Sequence, residues 1–359
     1  MQSYVVYLGT LIFAVLFAYL EKYTIKRDKY FWVAMIILLL TVICGFRGLN
    51  VGRDTYGYAY NYENQLLDWY EFGFVFIQEQ LFKICPNHVF FFTIIAFFTY
   101  FFFVKRFYDF KYRGAAFYWC LLLFMATSYT VGFNGVRQWL AVSICFFATR
   151  YIYSDDQPKV IPYILLNLVA ISIHNSSVFM LVFLAPMIFT KSNDQKVKLL
   201  RVFCVFAIGV SIYAGLNFIE GRNYGKLFEA GEYHFGYMSI VKIIVVLLAL
   251  LQYHSFPNER DSWLVFNEGS VTIPYRGILL IECSYIALAS LGYWFGVLSR
   301  IAWYLEPFET LFFANLFTKK TNSAYIWGAR FLIVIIAIAK FLGNFSVTEM
   351  RFPYMFFWQ

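Results

Sequence analysis

Residues 30–62 read YFWVAMIILLLTVICGFRGLNVGRDTYGYAYNY, and this stretch decides how the chain is understood. Its first half, Tyr30–Gly45, contains no charged side chain. At about 1.5 Å of rise per helical residue it comes close to crossing a hydrocarbon layer. The second half abruptly supplies Arg47, Arg53, Asp54 and the tyrosines 56, 58, 60 and 62. An apolar run that opens onto such a cluster is either a span ending in an ordinary loop or a span ending in a site.

Composition settles the class. The 359 residues are 61% hydrophobic, 23% aromatic and 14% charged. A soluble domain carries about 25% charged residues, so this inventory cannot cover a water-facing surface. The expected fold is an all-α polytopic integral membrane protein with about 12 transmembrane helices in a single domain, residues 1–359. Spans are expected near 4–20, 31–45, 88–104, 115–131, 137–152, 160–173, 177–190, 200–216, 239–253, 277–298, 301–317 and 326–343. The run Tyr4–Leu20 has no basic residue before it and no small-residue cleavage site after it, so a retained span is expected. The six cysteines show no metal-ligand spacing, and no metal site or cofactor is expected. The net charge of +8 belongs to cytoplasmic loops rather than to nucleic-acid binding.

Basic residues orient the chain. The turn EKYTIKRDKY carries Lys22, Lys26, Arg27 and Lys29 and should face the cytoplasm, which puts the N-terminus outside. Alternating from there, most of the 29 lysines and arginines fall inside. The outer connections 46–87 and 217–238 are long, and long loops tend to carry function.

Several polar residues then collect on the outer side. Arg47, Arg53 and Asp54 follow the second span. Asn134, Arg137 and Gln138 open the fifth, and Asn134 and Arg137 would share one helix face. His174 lies in the turn of ISIHNSSVF, after an apolar run too short to cross a full core, so it would be recessed. Arg300 opens a later span with Glu306 inside it, and the adjacent Pro307 would kink that helix. His234 lies in the outer loop 217–238. Taken singly, each has an ordinary reading. An arginine at a helix end snorkels to lipid phosphate, a lone histidine hydrogen-bonds structurally, and the tyrosines, Tyr56 among them, form an interfacial belt. Together they suit an anion site: guanidinium forks grip phosphate bidentately and keep their charge. His174 and Asp54 are the candidate general bases, and His234 is a third.

FRGLNVGRDTYGY, NGVRQWLAVSI, ISIHNSSVF and RIAWYLEPF, in that order, resemble four short motifs of bacterial O-antigen and exopolysaccharide polymerases of the Wzy/EpsG type. The resemblance runs over residues 1–345. It implies a fold related to lipid-dependent, GT-C-like glycosyltransferases, with a polar cavity at the periplasmic face of the bacterial inner membrane. It implies a partner, an oligosaccharide on undecaprenyl pyrophosphate, within membrane lipids, and a chain-length-regulating co-polymerase. The implied reaction moves the growing glycan from its lipid pyrophosphate to the non-reducing end of an incoming lipid-linked unit. Arg47, Arg137, Arg300 and Arg53 would hold the pyrophosphate, His174 or Asp54 would take the proton, and Asn134, Gln138, Tyr56, Glu306 and His234 would orient the sugars. Two other functions remain open: a flippase or transporter of the same lipid-linked substrate, and a ligase-like glycosyltransferase with another acceptor.

Overall fold

The computed structural model describes residues 2–24, 29–110, 116–152, 159–184, 237–255, 275–292, 296–318, 323–343 and 354–358. Long apolar runs form helices because lipid leaves backbone N–H and C=O groups no partners but each other. Among the described residues, three helices are both long and apolar enough to cross a membrane: the runs Tyr4–Tyr23, His88–Asp109 and Ala324–Gly343. Shorter apolar helices accompany them.

In chain order, α1 (Gln2–Tyr23) and α2 (Lys29–Gly45) form a hairpin, and α2 packs along α5 (His88–Asp109). The expected outer loop 46–87 is not extended. It folds into α3 (Thr55–Glu63) and α4 (Phe72–Ile84), each turning one face inward, through Ala59 and Tyr62 and through Phe74 and Gln78. The helices α6 (Phe117–Thr127), the single turn α7 (Val131–Asn134), α8 (Val136–Ala148) and α9 (Val160–Ile173) follow.

After α9 the chain is 3-10 from Asn175 to Leu184 where an α-helical span over 177–190 was expected. The hydroxyl of Ser177 donates to the His174 carbonyl at 2.9 Å, the local competition that steers serine-rich turns away from α-geometry. The expected span 200–216 and the loop bearing His234 lie outside the described residues. The second half comprises α10 (Tyr237–Ser255), α11 (Tyr275–Leu291), α12 (Gly296–Ala302), α13 (Glu306–Thr318) and α14 (Ala324–Gly343).

Two expectations near Arg300 are corrected. Arg300 lies inside the short helix α12 rather than opening a span, and Glu306 begins a different helix. The turn 303–305 separates the two helices. Pro307 sits in the first turn of α13, where its missing N–H costs nothing, so it starts the helix and does not kink it.

The core is aromatic: Phe103 packs on Phe124 and Trp139 at 5.1 and 5.0 Å between ring centroids, and Phe107 on Phe146 at 5.3 Å. In lipid such van der Waals packing, rather than the hydrophobic effect, holds helices together. Helices α6 and α13 join the two halves.

The helix ends sort into two groups. At one end Tyr7 meets Phe133 and Tyr354, and residues 46–48 pair with the tail through Gly48 N–H to Met355 O (2.7 Å) and Phe357 N–H to Phe46 O (3.0 Å). At the other end Tyr108 bonds Glu21, Arg106 bonds Thr149, Arg150 pairs with Asp109, and the Ala116 N–H donates to Thr318.

Candidate functional site

The turn after α2 is built around a buried arginine. Arg47, 1% exposed, donates from Nη1 to the Cys44 carbonyl (2.5 Å), from Nε to Thr55 Oγ1 (3.2 Å) and from Nη2 to the Phe133 carbonyl (3.4 Å). Its guanidinium lies 4.2 Å from the centroid of Phe92. These bonds turn the head group into the fold and lock the start of α3 to the 128–134 turn. Gly52 is needed beside it: its φ is +93°, and a Cβ there would fall 2.8 Å from the Phe133 carbonyl oxygen. Arg53 and Asp54 are exposed. The Arg53 N–H donates to Asn134 Oδ1 at 2.6 Å, and Asp54 caps α3 by position while its carboxylate makes no cap bond. Tyr56 and Tyr60 project outward from α3, their rings nearly parallel with centroids 6.2 Å apart.

Asn134 and Arg137 do not share a helix face. Gly135 separates α7 from α8, so Asn134 turns to the Arg53 backbone and Arg137 turns to α4. A Cβ on Gly135 would fall 2.7 Å from the Trp303 ring, which shows how closely this turn meets the segment after Arg300.

A residue that sequence reasoning passed over organises the rest. Glu71, at the start of α4, pairs through Oε2 with Arg137, while its Oε1 lies 3.2 Å from His174 Nδ1 and accepts the Asn175 N–H at 3.1 Å. Arg137 also lies over the Tyr70 ring at 5.0 Å, and Tyr70 stacks on Tyr58 of α3 at 5.8 Å. No local pattern marks Glu71, because its partners are distant in sequence. The available cue is an acid set among aromatics, DWYEFGF, in an outer loop.

Arg300 joins this group from α12. Gln138 Nε2 donates to its carbonyl at 2.6 Å, and its exposed guanidinium is close enough to act electrostatically on His174. Tyr304, one turn onward, is 3.1 Å from Ser176 Oγ. Glu306, expected near the anion site, instead accepts from Ser128 (3.0 Å) and faces Lys340 (3.2 Å).

The electrostatics follow from burial and neighbours. Burial opposes ionisation of Glu71, but His174 and Arg137 outweigh it and hold the carboxyl below its ordinary range. Burial also disfavours the imidazolium of His174; Glu71 favours it, Arg137 and Arg300 oppose it, and the net shift is downward. The ring is therefore neutral near pH 7. With Nδ1 facing a carboxylate, the proton sits on Nδ1 and Nε2 is left as an acceptor. Neither ring nitrogen makes a well-aligned hydrogen bond among the described residues, and the Nδ1 contact with Glu71 Oε1 at 3.2 Å is an electrostatic one.

The arrangement thus offers a neutral base, a carboxylate that faces its Nδ1, one guanidinium paired with that carboxylate, and a second that is exposed. Neither curated proteins nor solved structures give a match to the chain. The family model described as the EpsG family matches residues 29–356. That match takes in all four motifs, and the chain belongs to the EpsG family.

Proposed function

We propose that the protein is a polysaccharide polymerase acting at the periplasmic face of the bacterial inner membrane. It transfers a growing glycan from undecaprenyl pyrophosphate to the non-reducing end of a lipid-linked repeat unit. The observation that carries this reading is that Arg137 and His174, from two separate motifs, meet on Glu71 at one end of the bundle, with Arg300, from a third, near enough to act on His174. Membership of the EpsG family supports a polymerase-type role.

In the proposed reaction an acceptor hydroxyl attacks the anomeric carbon as the bond to the pyrophosphate oxygen breaks. The hydroxyl proton passes to His174 Nε2, and the bonding electrons leave with the pyrophosphate. Arg300 meets the donor first, and Arg137 exchanges Glu71 for a phosphate oxygen as negative charge develops there. Freed of Arg137, Glu71 stabilises the imidazolium that His174 becomes. Arg53, exposed at the rim, adds attraction for the lipid-linked anion. Arg47 shapes the turn that presents Arg53 and Asp54. Asp54 and the outward Tyr56 lie on the acceptor side, where aromatic faces suit sugar rings.

Mass spectrometry of the products tests this. Purified protein is given one lipid-linked oligosaccharide in EDTA without nucleotide sugar. The proposal expects doubled and longer glycans on one lipid, with free lipid pyrophosphate released mole for mole. Substrate that remains single while crossing a vesicle membrane would point to a flippase. Transfer only to an added, unrelated acceptor would point to a ligase.

A further inference from the structure

A second set of buried charges lies away from this site, between α10, α11, α13 and α14. Lys242 pairs with Glu309, and Lys340 reaches both Glu306 (3.2 Å) and Glu309 (3.6 Å). Lys242 also lies 4.3 Å from the ring centroid of Tyr285, which shares a face of α11 with Glu282 three residues earlier. Glu282 is 1% exposed, and neither carboxyl oxygen has a hydrogen-bond partner among the described residues.

The charges do not balance. Lys242 and Lys340 bring two positive charges, and Glu282, Glu306 and Glu309 bring three negative ones. An uncompensated charge inside a membrane domain is costly, and an acid there commonly answers by taking a proton. A proton on one of the three acids supplies the missing charge. The ion pairs engage Glu306 and Glu309, so the proton falls to Glu282. Among the described residues, the charged groups that act on Glu282 are Lys242 on α10, Glu309 on α13 and Lys340 on α14, and Arg300 of the adjoining α12 is exposed.

We propose that this cluster is a buried proton-binding site, with Glu282 carrying the proton, and that it holds the Arg300 segment in place. The link is direct. Glu306, clamped by Lys340, is also bonded by Ser128, and Tyr304 two residues before it is tied to Ser176 beside His174. Deprotonating Glu282 adds a negative charge beside Glu309, which competes for Lys242 and Lys340 and loosens the clamp on Glu306.

Infrared spectroscopy of the purified full-length protein reads this without reference to any reaction. In the wild type at neutral pH the carbonyl band of a protonated carboxyl is expected, shifting in deuterated buffer and lost in Glu282→Gln. Lys242→Met leaves one negative charge uncompensated and should gain a second such band. A spectrum with no band lost on Glu282→Gln overturns the proposal, as does a band that disappears on adding sodium ions at constant pH. The clamp has its own readout. Glu282→Gln should keep wild-type turnover at alkaline pH, where the wild type declines, and Lys340→Arg should retain turnover that Lys340→Met loses. Coincident alkaline limbs for wild type and Glu282→Gln would remove the coupling to Arg300.

Discussion

Glu71 sets the protonation of the site, and its effect has a definite sign. It raises the proton affinity of His174, while Arg137 and Arg300 lower it. Glu71→Gln should therefore move the acid limb of kcat/KM to lower pH, read from initial rates across pH; a limb that stays put would transfer the base role to Asp54. Stability has the same direction. The Glu71 carboxyl is held low, so its contribution is present above its unfolded value and is lost as pH falls through its folded value. His174 is also held low, so protonation below the ordinary histidine value costs the fold further. Thermal denaturation should show the melting temperature falling on the acid side, with a weaker dependence in the Glu71→Gln, His174→Gln double variant. Arg137 and His174 were legible in the sequence because ionisable residues on the outer side of a greasy chain stand out. Glu71 was not, since only the folding of residues 46–87 brings it to them.

The elements that present the site depend on two tight features. Gly52 adopts a φ that side chains avoid, with the Phe133 carbonyl pressed against it. Gly52→Ala should cost about 1–3 kcal/mol, measured as lowered thermal stability, and should reduce turnover by displacing Arg53 and Asp54. Arg47→Met keeps the volume but removes the guanidinium bonds to the carbonyls of Cys44 and Phe133 and to Thr55. A loss of about 1–3 kcal/mol is expected, and wild-type stability would show that Arg47 does not brace this turn. The apolar runs foretold α1, α2, α5, α9 and α14 closely, since length and hydropathy determine a span. The helices α3 and α4 escaped because short interfacial helices lack span length and carry polar residues throughout. The break expected at Arg300, between spans 277–298 and 301–317, falls a few residues later, after Ala302, because Arg300 continues a helical turn.

At the scale of the molecule, one end of the bundle gathers the arginine-bearing turns, the exposed tyrosines of α3 and the tail Tyr354–Trp358, and the other gathers Lys105, Arg106 and Arg150. Chain alternation places these segments, and the basic-residue bias expects the second group in the cytoplasm. Which sugars are joined was not legible, since the roles proposed for the gathered residues concern the phosphate and the proton, which all such substrates share. The most direct test is therefore the equilibrium affinity of the purified protein for undecaprenyl pyrophosphate carrying no sugar. Wild type should bind it with a strong dependence on salt, and Arg300→Ala and Arg137→Ala should each bind about tenfold or more weakly, as expected for losing a charge-assisted contact. Wild-type affinity in both variants, with the fold intact, would contradict the account by showing that this end of the bundle does not hold the pyrophosphate.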